Sequence, residues 1–118
     1  MNKITVVLPA KNEAGAIQQT VKAIKQLNRV DEIIVVNDGS TDDTAQIAEQ
    51  AGAKVISHPY SKGNGAAIKT GARNAIGDVI VFMDADGQHD ANDILKLIEK
   101  IEQGYDLVVG ARQKGSQA

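Results

Sequence analysis

Two aspartates one residue apart, Asp84 and Asp86, lie in the run Phe82-Met83-Asp84-Ala85-Asp86-Gly87-Gln88-His89. A short apolar stretch precedes them, so both carboxylates emerge on the same side of the chain at a strand end. That spacing lets both approach one divalent cation, or one directly and the other through water. A hard oxygen site with open positions suits Mg²⁺ or Mn²⁺ shared with phosphate oxygens. The same residues also suit a solvated turn, since Asp90 and Asp93 lead into a helical pattern as capping acids.

Three further polar segments follow apolar runs. In Ile33-Ile34-Val35-Val36-Asn37-Asp38-Gly39-Ser40-Thr41-Asp42, Asp38 is placed to accept hydrogen bonds from a nucleobase N–H or from ribose hydroxyls. Plain turn chemistry explains the same letters. In Leu8-Pro9-Ala10-Lys11-Asn12-Glu13, Pro9 stiffens the strand exit and Glu13 stands near a helix start, where an acid meets the positive end of the dipole. The third, Ser61-Lys62-Gly63-Asn64-Gly65-Ala66-Ala67, lets a helix begin close to a phosphate, with Lys62, Lys69 and Arg73 adding charge. It matches neither the phosphate-loop nor the dinucleotide fingerprint, and close helix–sheet packing accounts for most of its small residues. His58 and His89 are the only histidines, and His89 reads as a surface imidazole that stands within reach of a metal or phosphate. No serine sits in a nucleophile elbow.

The elements that position these segments alternate. β-Branched runs at Ile4–Leu8, Glu32–Val36, Lys54–Ser57, Val79–Met83 and Asp106–Val109 are mostly continuous apolar rather than alternating, as expected of strands covered on both faces. Between them fall helical stripes: Ile17, Val21, Ile24 and Leu27; Ile47, Ala48 and Ala51; Ile68, Ala72, Ala75 and Ile76; Ile94, Leu97, Ile98 and Ile101. Ser40 to Asp43 supply a cap for the second helix, and Gly52, Gly77 and Gly104 are expected at C′ positions. The pattern predicts a parallel, doubly wound, Rossmann-like sheet in a three-layer α/β/α sandwich. Ligands of such a sheet bind beyond the carboxyl ends of the strands, where all four polar segments fall.

With 118 residues the chain is sized for one domain, read as residues 1–112 followed by a flexible tail, 113–118. Aromatics are only 3%, so the core must be aliphatic. Thirteen basic against fifteen acidic side chains argue against a nucleic-acid binder. The absence of cysteine excludes disulfides, thiolate metal sites and a Cys nucleophile, and makes the cytoplasm the expected compartment. No apolar run approaches the roughly 18–20 residues of a membrane span, and no signal-peptide pattern opens the chain.

Taken in order, the four segments and Gly110-Ala111-Arg112 resemble the nucleotide-sugar-binding half of glycosyltransferase family 2, the inverting enzymes of GT-A fold. The polyprenyl-phosphate (dolichol-phosphate) mannosyl- and glucosyltransferases are the nearest branch. The resemblance covers essentially the whole chain. It implies that Pro9, Ala10, Asn12, Glu13, Asp38, Lys62 and Asp84 bind the nucleotide. It also implies that Asp84, Asp86 and Gln88 hold Mg²⁺ or Mn²⁺ against the diphosphate of a UDP- or GDP-sugar. Many such enzymes carry two acids where this chain has Asn37-Asp38. The implied acceptor is a polyprenyl phosphate, hence a place at or near a membrane surface.

Family members continue for roughly another hundred residues that hold the acceptor site and the general base. The expectation is therefore a chain truncated before the acceptor-binding half, which holds donor without efficient turnover and can self-associate through its uncovered sheet edge. Two other readings stay open: a non-catalytic nucleotide-binding or interaction module, and a phosphatase of haloacid-dehalogenase type. The phosphatase normally has its Asp-x-Asp near the N-terminus and Thr or Val where this chain has Gln88.

Overall fold

The computed structural model describes residues 3–83 and 91–102, with backbone only for 91, 94, 97, 101 and 102. Four strands alternate with four helices: β1 Ile4–Ala10, α1 Ile17–Lys25, β2 Glu32–Asp38, α2 Thr44–Gln50, β3 Lys54–His58, α3 Asn64–Asn74, β4 Val79–Phe82 and α4 Ala91–Glu102. The sheet is parallel throughout, in the order β3-β2-β1-β4. The run 106–109 expected as a fifth strand, Gly104 and the 113–118 tail lie outside the described residues.

Strand alternation sends side chains to two separate cores. Val6, Leu8, Ala10, Ile33, Val35, Val79 and Val81 pack with Ile17, Val21 and Ile24 of α1, Ala48 of α2 and Ile98 of α4. Val7, Ile34 and Val36 face the other way, onto Ala67 of α3. Helices therefore cover both faces, which gives the three layers expected. Each fully buried aliphatic side chain contributes about 1.5–3 kcal/mol, and among the described residues eleven large ones lie at under 2% exposure.

The third helix turns a different face to the sheet from the one expected. Its buried residues are Ala67 and Gly71, whereas Ile68 is only half-buried and Ile76 lies beyond the helix, 63% exposed. The cause is proximity: a Cβ on Gly71 would stand 2.3 Å from Val7 Cγ1, so no isoleucine fits on that face. Gly77 is likewise not a helix terminator. A Cβ there would meet Thr5 Oγ1 at 2.6 Å and the Thr5 amide at 2.8 Å, so the chain needs glycine to pass β1. Gly52, at φ +107° after α2, does take the C′ role.

Two caps also differ from expectation. No acid lies in the first turn of α1, which begins four residues after Glu13; the main-chain carbonyl of Glu13 accepts the amides of Ala16 and Ile17. Asp43 is the N-cap of α2 but makes no side-chain cap bond, and Asp42 accepts the Thr44 amide at 3.0 Å instead.

Candidate functional site

Strand order reverses between β1 and β4, and the crevice of a doubly wound sheet opens at such a reversal. β1 is longer than its neighbour there, since its pairing with β4 ends at Val7–Phe82 while its pairing with β2 runs on to Ala10–Asn37. The Val7 carbonyl accepts the Met83 amide at 3.1 Å, so Val7 and, two residues on, Pro9 turn their backbone edges toward β4. The N–H that Pro9 lacks thus falls on the side where pairing has stopped, and none is orphaned. The described part of this segment ends beside β1, one residue before Asp84.

The loops leaving β1 and β2 are bonded to each other. Asn12 sits at φ +55°, and its side-chain oxygen accepts the Thr41 amide at 2.8 Å and the Thr41 hydroxyl at 3.2 Å. In return the Asn12 amide donates to Ser40 Oγ at 2.9 Å. The Glu13 amide donates to Thr44 Oγ1 at 2.9 Å and the Ala14 amide to Asp42 Oδ2 at 3.2 Å. The Thr44 hydroxyl in turn donates a hydrogen bond to Asp42 Oδ1. That bond, helped by the amides of Thr44 and Ala14 and opposed by partial burial, holds the Asp42 carboxyl below its ordinary value.

The loops leaving β2 and β3 are joined by Asp38. The residue is 6% exposed, and its carboxylate accepts four hydrogen bonds, two on each oxygen. Oδ1 takes His58 Nδ1 at 2.8 Å and the Lys62 amide at 2.8 Å. Oδ2 takes Ser61 Oγ at 3.0 Å and the Gly63 amide at 3.0 Å. Burial by itself would push this carboxyl up. The bond from His58, then those from Lys62, Gly63 and Ser61, reverse that and hold it far below the usual carboxylate range. An ionised Asp38 has no proton to give, so Nδ1 of His58 carries the hydrogen. Nε2 lies 2.8 Å from the Thr70 hydroxyl of α3, so both ring nitrogens have partners. Asn37 uses both ends of its amide: Nδ2 donates to Ser57 Oγ at 3.1 Å and Oδ1 accepts the Ser40 amide at 3.1 Å.

Of the residues singled out from the sequence, Pro9 is half-buried, Ala10 and Asp38 are buried, Asn12 and Lys62 are exposed, and Glu13 is half-buried. Asn12 and Glu13 come together with residues 40–44, and Asp38 with the backbone of Lys62. The Lys62 ammonium stands 5.4 Å from the centre of the exposed Tyr60 ring. Lys69 and Arg73 are exposed on α3. Asp84, Asp86, Gln88, His89 and Gly110-Ala111-Arg112 lie outside the described residues, and among the described residues no group of three or more His, Cys, Asp or Glu can hold a metal ion. The residue that sequence reasoning passed over is His58. The available signal was positional, for Asp38 and His58 each end a strand and are register partners.

The model of glycosyl transferase family 2 matches residues 5–118. Undecaprenyl-phosphate 4-deoxy-4-formamido-L-arabinose transferase of Proteus mirabilis is 36% identical over 129 residues, which cover 99% of this chain and 39% of that protein. Glucosyl-3-phosphoglycerate synthase of Mycobacterium tuberculosis, in complex with UDP, superposes with a TM-score of 0.78 at 34% identity, over 87% of this chain and 41% of that one. The same enzyme with Mn²⁺, UDP-glucose and phosphoglyceric acid gives 0.77 at 33% identity, over 87% and 40%. This chain thus spans about 40% of the length of these relatives. A parallel sheet with helices on both faces is the fold shared with these solved structures, and the chain belongs to glycosyl transferase family 2.

Proposed function

We propose that residues 1–112 bind a nucleotide-diphosphate sugar, UDP- or GDP-linked, as the donor half of an inverting glycosyltransferase. The observation that carries this reading is the interlocked rim of β1, β2 and β3 exit loops around the β1–β4 reversal, in a fold whose solved relatives hold UDP and Mn²⁺. On this reading Pro9, Ala10, Asn12 and Glu13 line the β1 side of the donor pocket, Lys62 the β2–β3 side on a loop that Asp38 bonds, and Asp84, next in sequence after Met83, is a further nucleotide contact. Asp84, Asp86 and Gln88 would hold Mg²⁺ or Mn²⁺. Two carboxylates and an amide oxygen are the donor set such hard cations take. When bound, the cation neutralises the departing diphosphate.

The chain's own groups supply orientation. Lys62 presents an ammonium to phosphate, and the bonded loops hold the pocket's backbone fixed before ligand arrives. An acceptor hydroxyl or phosphate must lose its proton or present its charge to the anomeric carbon from the face opposite the diphosphate. No residue of this chain is assigned as general base for that step. The undecaprenyl-phosphate transferase relative points to a polyprenyl-phosphate acceptor, and with it a position beside a membrane. Among the described residues no helix is long and apolar enough to cross a membrane.

Titration calorimetry with UDP, GDP, ADP and CDP, in Mn²⁺ or in chelator, tests the proposal. UDP or GDP binding that needs the metal and disappears in Asp86→Ala is the expected result. Absence of binding to all four nucleotides would overturn it.

A further inference from the structure

We propose that Asp38 and His58 form a positioning couple, anchored on Thr70, that holds the Tyr60–Gly63 loop and thereby aims Lys62 at the donor's diphosphate. The residues concerned belong to β2, β3, α3 and the loop between the last two, and each is fixed by a different constraint. Asp38 and His58 are opposite one another in the β2–β3 register. Thr70, one helical turn from Ala66 and facing the sheet end, closes the chain of contacts at 2.8 Å from the imidazole. The loop completes it through the Ser61 hydroxyl and two successive backbone amides, at Lys62 and Gly63.

The count of acceptor sites decides the role of Asp38. An ionised carboxylate offers about four lone-pair positions, and four donors of the chain itself fill them. A nucleobase N–H or a ribose hydroxyl would have to displace one of these bonds, three of which define the loop. Asp38 therefore serves the pocket through the loop it holds. Gly39 fits the same reading: its backbone passes so close that a Cβ would lie 2.5 Å from the Ser61 nitrogen. His58 is 9% exposed and both its ring nitrogens are already bonded, so it acts through Asp38 and Thr70. Lys62 is the group in this loop that reaches solvent with a charge, and its backbone amide is one of the bonds that Asp38 accepts.

This inference rests on the donor-site reading for what Lys62 meets, while the holding of the loop is tested without ligand. The first measurement is amide hydrogen exchange of the nucleotide-free chain for wild type, His58→Asn and Thr70→Val. Thr70→Val keeps the side-chain shape and exchanges only the hydroxyl for a methyl, so it still reads the loop if His58→Asn fails to fold. Protection of the Lys62 and Gly63 amides is expected to fall in both variants, with the strand amides unchanged. Wild-type protection of these two amides in both would overturn the proposal.

The second measurement is a double-mutant cycle read with UDP and with UMP in Mn²⁺. Thr70→Val should weaken UDP by about tenfold, the scale of one displaced charge-assisted contact, and weaken UMP far less. In a Lys62→Ala background the same change should add almost nothing, because the group it aims is gone. An equal loss in both backgrounds would mark Thr70 and His58 as merely structural and would overturn the proposal. Failure of the donor-site reading looks different: wild type then binds no UDP, while the exchange pattern still shows the held loop.

Discussion

Replacing Gly39 by alanine tests whether the β2 and β3 exit loops form one body. Gly39 stands at φ +74°, where a residue with a Cβ costs about 1–2 kcal/mol. Its added Cβ would lie 2.5 Å from Ser61 N and 2.8 Å from the Tyr60 carbonyl carbon, both backbone atoms. Relief requires Ser61 to retreat by about 1 Å, which stretches the Lys62 and Gly63 bonds to Asp38, now 2.8 and 3.0 Å, past the hydrogen-bond limit. Each is a bond to a charged group worth about 1.5–3 kcal/mol, but residues 61–63 are exposed and water replaces part of the loss, so about one bond's worth remains. The lower unfolded-state entropy of alanine returns about 0.4–1 kcal/mol. The net expectation is a loss of about 2–4 kcal/mol, a urea midpoint lower by about 1–2 M. Gly15→Ala is the matched comparison: no atom lies within 4 Å of its Cβ and its φ is not positive, so its midpoint should stay level or rise slightly. A Gly39→Ala stability within about 0.5 kcal/mol of wild type would refute the packing argument, since surface substitutions that meet no such constraint fall in that range.

Gly71→Ala should destabilise by about 1–2 kcal/mol, overpacking against Val7 less the gain in helix propensity, and Val7→Ala in the same chain should recover part of it, as read by thermal unfolding. Acidification should unfold wild type more steeply than Asp38→Asn. The folded carboxyl titrates below its ordinary 3.8, so its stabilisation is complete above that pH and is lost as pH falls through 3.8 toward the folded value. Stability measured from about pH 5 to pH 2 should therefore fall further in wild type, with the depressed Asp42 leaving a residual slope in the variant. At Asn12, φ +55° favours glycine while the side-chain bonds to Thr41 favour asparagine, so the denaturation midpoints should rank wild type above Asn12→Gly above Asn12→Ala.

The sheet was legible because parallel strands buried on both faces are nearly continuous in apolar residues, and Ile33–Val36, Val79–Phe82 and, apart from Thr5, Ile4–Leu8 are. What the apolar pattern missed is that pairing continues into polar residues. Pro9-Ala10, Asn37-Asp38 and His58 belong to strands by their hydrogen-bond ladder, although their letters are those of turns. The site residues are therefore half strand and half loop, which is why Asp38 was visible as chemistry but its bond to His58 was not. That bond depends on the β2–β3 register, and no local window contains it. The third helix was misoriented for the opposite reason. Hydrophobicity marked Ile68 and Ile76, whereas the closeness of α3 to Val7 selects for the smallest side chains and leaves Ala67 and Gly71 inside. The metal motif Asp84-x-Asp86 was legible as a pattern only.

Acid side chains hold the backbone at both ends of the sheet, but to different effect. At the amino end Asp31 accepts the Ile4 amide at 2.7 Å, Asp78 the Lys3 amide at 3.0 Å and Glu32 the Ile76 amide at 2.9 Å. The first two tie the start of β1 to the residues before its neighbours, and the third ties β2 to the segment before β4. At the carboxyl end Asp42, Asn12 and Asp38 bond loop to loop, across 24 to 29 residues of sequence in the bonds to Lys62, Ala14 and Thr41. Loops that were free would have to be ordered by the ligand, at a cost of about 0.5–1.5 kcal/mol for each immobilised side chain, and that cost would appear as weaker binding. Fixing them beforehand with the chain's own acceptors removes the cost but also occupies those acceptors. A rim built this way must recognise a nucleotide with what the network leaves uncommitted, which at the β3 exit is the exposed Lys62 side chain rather than the carboxylate beneath it.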